Sequence, residues 1–301
     1  MAEESKLLDS PVLARLMHLP LQARFAMEGS VTGQHKSPHR GSSVEFAEYR
    51  NYTPGDDIRR LDWRVFGRTD RFYMKEFEAE TNLRCYIVVD CSGSMKFAGQ
   101  GEAKILWAKK IAATLAYLTS RQGDAVGLIC AGEKAAIEIP PRRNPAHLRL
   151  IFEKLESAEA KGETGLVQVL HDLAEKVRRR ALVIVVSDFF CDTPELMSCL
   201  QHLRFCKHDL ALFHLLDRSE MDFQFDRPVR FVDLENSFNL VTEPATIRNE
   251  YLRQFHGYLE LMRSGCHEFG ADYRQFITDQ SYEKVLADFL IERARLSAGG
   301  R

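Results

Sequence analysis

Arg84-Cys85-Tyr86-Ile87-Val88-Val89-Asp90-Cys91-Ser92-Gly93-Ser94 is the stretch on which the reading of this chain turns. The run Tyr86-Ile87-Val88-Val89 is apolar without alternation. A strand wet on one face would alternate, so this one reads as buried on both faces, as in a parallel sheet covered by helices. It ends on a carboxylate, Asp90, followed by two hydroxyls at alternate positions around a glycine.

Downstream, strands and helices alternate. The pattern predicts a helix over 103–120 and a strand over 125–131. A short strand over 135–139 follows, turned back by Gly132-Glu133 and therefore antiparallel at an edge. A helix starts at Pro145 and a second runs from Gly165 to Arg180, whose closing Arg178-Arg179-Arg180 would complement the helix dipole. The most apolar strand, Ala181 to Ser187, precedes a helix with Pro194 near its start. Strands at 208–216 and 229–234, a helix over 245–269, a strand over 272–277 and a last helix over 281–296 complete the series. Such alternation implies an α/β fold, a doubly wound, mostly parallel sheet with helices on both faces.

Upstream the pattern differs. Residues 1–27 carry helical spacing of Leu7, Leu8, Val12, Leu13, Leu16 and Met17. Residues 28–82 are irregular, with a strand over 71–77. The chain thus divides into residues 1–82, an N-terminal helix and an Arg- and aromatic-rich segment, and residues 83–301, the α/β domain.

The bulk composition narrows the function classes. The 301 residues are 45% hydrophobic and 28% charged, with a net charge of −2, which argues against a general nucleic-acid binder. No apolar run approaches the roughly 18 residues of a membrane span, and no signal-peptide pattern opens the sequence, so a cytoplasmic location is expected. The seven cysteines form no CxxC pair and read as buried, reduced thiols. His202 and His208 read as surface residues. There is no GxxxxGK[ST] loop, no dinucleotide fingerprint around Gly99-Gln100-Gly101, and no Gly-x-Ser-x-Gly elbow.

What remains is a set of oxygens. Ligands of open α/β sheets bind outside the carboxyl ends of the strands, where Asp90, Ser92 and Ser94 fall. Thr164, in Gly162-Glu163-Thr164-Gly165, and Asp188, after the strand ending at Ser187, come from two later loops that can reach the same edge. These donors are all oxygen, hard and low in charge, which suits Mg²⁺ or Mn²⁺ better than zinc. The plainer reading is helix capping, since Asp, Ser and Thr commonly satisfy free N–H groups at helix starts.

Asp90-x-Ser92-x-Ser94 after a buried strand resembles the metal-ion-dependent adhesion site of von Willebrand factor A domains. Thr164 and Asp188 match that family's threonine and aspartate on the second and third loops. The resemblance implies a von Willebrand factor A-like, Rossmann-type fold and a partner carboxylate that completes the coordination of the ion. Asp188 is followed by Phe189-Phe190, where many A domains have glycine.

The segment before the site is similar to domain-of-unknown-function family 58: Gly33-Gln34-His35-Lys36-Ser37, Arg40-Gly41, Glu45-Phe46, Tyr49 through Arg59, and Leu61-Asp62-Trp63-Arg64. This bacterial resemblance implies a MoxR-type AAA+ ATPase as partner. Arg59, Trp63 and Arg64 lie where arginines, acids and aromatics mix. That mixture suits an internal ion-pair network or a docking surface for an acidic partner. The expectation is a metal-dependent protein-binding module rather than an enzyme. A Mg²⁺- or Mn²⁺-dependent phosphoester hydrolase is the alternative.

Overall fold

The computed structural model describes residues 5–24, 35–36, 45–51, 63–69, 73–78, 80–81, 83–99, 101–132, 137–225, 227–235 and 239–299. The chain forms two compact units, one of residues 25–83 and one of residues 1–24 with 84–301. Helix α1 (Ser10–Leu16) belongs to the larger unit, not to the Arg-rich segment with which its place in the chain had grouped it. Asp9 caps it by accepting from the Val12 N–H at 3.3 Å, and Pro11 fits its first turn. It stops far short of Met27, because Pro20 cannot continue a helix.

In the smaller unit, β1 (His35–Lys36) and β2 (Glu45–Asn51) precede α2 (Trp63–Thr69), β3 (Tyr73–Glu78) and β4 (Glu80–Thr81). β1 pairs with β4 and β2 with β3, both antiparallel. The strand expected over 71–77 is β3. Arg59 and the Tyr52–Asp62 motif lie outside the described residues. Trp63 and Arg64 open α2, and their side chains also lie outside the description.

The larger unit continues with β5 (Arg84–Asp90), a 3-10 turn at Gly93–Lys96, α3 (Lys104–Arg121), β6 (Ala125–Ala131), β7 (Ile137–Arg142), α4 (Pro145–Ser157), α5 (Leu166–Lys176), β8 (Leu182–Ser187), α6 (Thr193–Phe205), β9 (Asp209–Leu216) and α7 (Arg218–Asp222). Then come β10 (Val229–Val232), β11 (Asn239–Thr242), α8 (Pro244–Glu268), β12 (Asp272–Ile277) and α9 (Tyr282–Gly299).

Six of these strands make one sheet in the order β12-β9-β8-β5-β6-β7. Counted along the chain within the sheet and read from the β7 edge, that is third-second-first-fourth-fifth-sixth, the doubly wound order. All pairings are parallel except β7 on β6. β7 is an edge strand as expected, and it tolerates Pro140 and Pro141 because an edge can spare ladder donors. The topological switch lies between β5 and β8.

Both faces are covered. Tyr86, Val88, Val183, Val185, Leu210 and Leu212 pack under α5, α6 and α8 through Leu170, Leu200 and Met262. On the other face, α3 packs on β5 and α9 on β12, with Phe213 edge-on to Phe289 at 4.9 Å. Two expectations fail here. Val229–Val232 does not join the large sheet but pairs with β11 as a separate antiparallel hairpin; its alternating exposure suits a two-stranded ribbon rather than a strand buried on both faces. The helix expected to reach Arg180 ends at Lys176, so Arg178–Arg180 lie beyond its terminus, where Arg180 donates to the Lys207 carbonyl at 3.0 Å.

At the amino ends of β9 and β12, buried Asp209 and Asp272 share the guanidinium of Arg293 from α9. Arg293 reaches Asp272 at 2.9 Å and Asp209 at 2.7 and 3.2 Å. Arg24 joins them, its N–H on Asp209 at 2.8 Å and its guanidinium on Asp272 at 3.0 Å. This knot ties the N-terminal segment to the sheet. His208 beside it is fully buried rather than on the surface, accepting from the Ala181 N–H at 3.3 Å. Cys85, Cys91, Cys130, Cys199 and Cys266 are buried, Cys191 and Cys206 half-buried, and all are free.

Candidate metal centre

The parallel register puts Val89 beside Val186, so the next residues, Asp90 and Ser187, leave β5 and β8 side by side at the switch point. Asp90 is buried, with Oδ1 accepting from the Ser92 N–H at 2.9 Å and Oδ2 from the Ser187 hydroxyl at 2.6 Å. The Ser92 and Ser94 hydroxyls are 2.9 Å apart, and Ser94 Oγ donates to Asp188 Oδ1 at 3.2 Å. Four of the five expected residues therefore form one connected rim from two strand ends.

The second loop adjoins it. The Gly93 N–H donates to the Gly162 carbonyl at 2.8 Å and the Lys161 N–H to the Cys91 carbonyl at 2.8 Å. Thr164 accepts from the Leu166 N–H at 3.3 Å, a helix-start role of the plainer kind.

Phe189, in the place of the glycine, has φ 51°, the left-handed region that a bulky residue enters only under constraint. The constraint is visible. Its ring is buried edge-on to His214 at 5.3 Å, and its carbonyl accepts from the Tyr258 hydroxyl at 2.9 Å. Burial of a large ring thus holds a turn that glycine would adopt freely. His214 behind it bonds the Tyr273 hydroxyl at 2.7 Å, and burial pulls its pKa down to about 3, so it is neutral.

Lys104, Glu220 and Glu235 also belong to the site and were not read from the sequence. Lys104 is buried in the first turn of α3, its ammonium 3.1 Å from Asp188 Oδ2 and 2.6 Å from Glu220 Oε1. Burial opposes its charge, yet Asp188 and Glu220 outweigh burial and raise its pKa. Glu220 is held in place by the capping box of α7, accepting from the Asp217 N–H at 2.8 Å.

Glu235 follows β10. Burial raises its pKa, while the Ser94 hydroxyl and the backbone N–H groups of Ser94 and Thr164 favour its charged form and the Asp188 charge opposes it. Its Oε1 is buried without a hydrogen-bond partner.

Burial and the charge of Asp188 push Asp90 up to about 7, against the hydrogen bonds from Ser187 and Ser92. Four carboxyl groups, Asp90, Asp188, Glu220 and Glu235, thus belong to this rim, and the Lys104 ammonium pairs with two of them, Asp188 and Glu220. Among the described residues no group of three or more His, Cys, Asp or Glu side chains clusters as a metal site. A site here would depend on hydroxyls as well as carboxylates. The donors fit a hard cation: adjoining serine hydroxyls, acids that repel one another, and one orphaned carboxylate oxygen.

Gly93 is required by the approach of the hairpin. A Cβ there would lie 2.2 Å from the Leu234 carbonyl oxygen and 3.1 Å from that of Gly162, both backbone atoms. Gly93→Ala should therefore lower stability by about 1–3 kcal/mol, read as a drop in thermal unfolding midpoint. An unchanged midpoint would mean that the Leu234 segment does not rest on this loop.

A doubly wound sheet with an antiparallel third strand and an oxygen-lined rim at its switch point defines a von Willebrand factor A-like α/β protein. Residues 48–257 match the family described as "Protein of unknown function DUF58", and the chain belongs to that family. An uncharacterized protein of Mycobacterium bovis is 25% identical, the match covering 97% of this chain and 93% of that protein. The uncharacterized protein YeaD of Bacillus subtilis is 25% identical over 44% of this chain and 30% of its own length. Among solved structures, BatB of Bacteroides thetaiotaomicron is similar with a TM-score of 0.46 at 15% identity, over 71% of this chain and 100% of that one. A von Willebrand factor type A protein of Catenulispora acidiphila gives 0.44 at 13% identity, over 74% and 44%. Among the described residues no helix is long and apolar enough to cross a membrane.

Proposed function

We infer that the larger unit is a metal-dependent protein-binding module. Asp90, Ser92, Ser94, Thr164 and Asp188 hold Mg²⁺ or Mn²⁺, and the partner presents an Asp or Glu. The observation that carries this reading is the continuous chain of contacts Ser92–Ser94–Asp188 at the switch point, assembled from two strand ends. Exposed Phe190, Val232 and Leu234 add apolar surface at the rim, of the kind that interaction sites use. The MoxR-type AAA+ ATPase implied by family resemblance is the candidate partner.

The hydrolytic alternative needs a base with a free lone pair aimed at a water. Asp90 is engaged by Ser187 and Ser92, and Asp188 by Ser94 and Lys104; the carboxylate oxygen left without a donor, Glu235 Oε1, is buried away from solvent, which favours binding over turnover.

Calorimetric titration of Mg²⁺ should show binding to the wild type and none to Asp90→Ala; equal heats from both would remove the site. A pull-down of the partner ATPase should fail in chelator, and a complex indifferent to chelator would argue against a metal-bridged contact.

The pH dependence has a definite sign. Burial and the Asp188 charge raise Asp90 to about 7 in the folded protein, from the ordinary 3.8 that it regains on unfolding. The metal-free protein therefore loses this group's stabilising contribution as pH rises from about 4 through about 7. Mg²⁺ favours the ionised carboxylate and restores it. The shift in unfolding midpoint on adding Mg²⁺ should thus be larger at pH 8 than at pH 5.5, and a pH-independent shift would contradict the assignment.

A further inference from the structure

We propose that Glu235 is a built-in carboxylate ligand of this site: the turn after β10 places it where a partner's acid would bind, so the site is capped in cis. A partner must then displace the β10–β11 hairpin to reach the ion. This rests on the metal-binding reading and specifies how that site is regulated.

Three observations carry it. The chain after β10 lies directly on the Ser92-Gly93-Ser94 loop, so close that only glycine leaves room for the Leu234 carbonyl. Asp233 Oδ1 accepts from the Glu235 N–H at 2.8 Å, a tight turn that directs the chain across the rim. The same segment carries Glu235 to the rim, and its Oε1 is buried with no protein donor. A buried carboxylate oxygen without a donor needs a compensating cation or hydrogen bond. Lys104, the ammonium at this site, is taken up by Asp188 and Glu220. An ion held by the serines would satisfy Oε1 without any rearrangement of the sheet.

The hairpin is suited to moving. It is a two-stranded ribbon outside the six-stranded sheet, and such a ribbon is marginal by itself. Its Val232 and Val241 are 55% and 72% exposed, and Phe231 anchors it on Phe223 and Phe225, both outside the six-stranded sheet, rather than on the rim.

The test uses the full chain with Mn²⁺ as the probe, followed by the water-proton relaxation of the bound ion. The wild type should bind Mn²⁺ with low relaxivity, because Glu235 occupies a position that water would otherwise fill. Glu235→Ala should bind at least about tenfold more weakly and with higher relaxivity per bound ion. Acetate should lower that relaxivity in the variant and leave the wild type unchanged. Glu235→Gln, similar in size, repeats the measurement should the alanine variant fail to fold. Equal affinity and relaxivity in wild type and variant overturn the inference while leaving the metal site intact, provided Asp90→Ala abolishes binding. No Mn²⁺ binding by the wild type overturns the inference and the metal reading together.

Discussion

Replacing Arg293 by methionine should lower the unfolding free energy by about 3–5 kcal/mol, the cost of stranding buried charges by removing one partner. The guanidinium is 1% exposed and sits between Asp209, 0% exposed, and Asp272, 5% exposed. Burial opposes its charge, but the two carboxylates outweigh that and hold its pKa above the ordinary arginine value. Without it, both acids remain in a dry site with Arg24 as their nearby cation. Denaturant unfolding of the variant measures the loss. A triple replacement, Arg293→Met with Asp209→Asn and Asp272→Asn, should recover much of it, because the unpaired charge and not the missing contact is expensive. A single variant as stable as the wild type would mean that water reaches the knot.

Lys104→Met should have opposite effects on the metal-free and metal-loaded forms. In the metal-free protein it removes the ammonium that neutralises Asp188 and Glu220, and should cost about 3–5 kcal/mol. In the loaded form that the metal-binding reading requires, it would remove a cation held 3.1 Å from Asp188, one of the residues that would hold the ion. Repulsion between a monovalent and a divalent charge at short range remains several kcal/mol even at an effective dielectric of about 20. Mg²⁺ affinity should therefore rise by more than about tenfold while stability in chelator falls. Calorimetry and thermal unfolding with and without chelator read the two effects. A variant that loses both stability and affinity would show that Lys104 supports the rim mechanically rather than competing for its charge.

The contrast between Ser92 and Lys104 shows what was legible. Asp90, Ser92 and Ser94 lie within one turn of a strand that declares itself by being apolar throughout, so spacing alone puts them at the strand end. Lys104 opens an amphipathic helix, where lysine is ordinarily solvated. Its burial depends on Asp188 and Glu220, 84 and 116 positions away. No local pattern encodes an ion pair of that separation. Glu235 was hidden for a related reason: Val229–Val232 alternates like any strand, and only its pairing with Asn239–Thr242 outside the sheet brings the next residues over the rim. Phe189 reads as a departure from the glycine of A domains, yet its turn forms because His214 and Tyr258 hold the residue.

By itself, the order of apolar strands and amphipathic helices dictated a doubly wound sheet, and with it the strand ends where Asp90 and Asp188 must emerge. That information is local, since burial on both faces and helical periodicity are written in consecutive residues. Which charges share that rim was decided only in three dimensions. Electrostatic pairing depends on distance in space, and parallel register, helix entry and a hairpin laid across Gly93 set those distances.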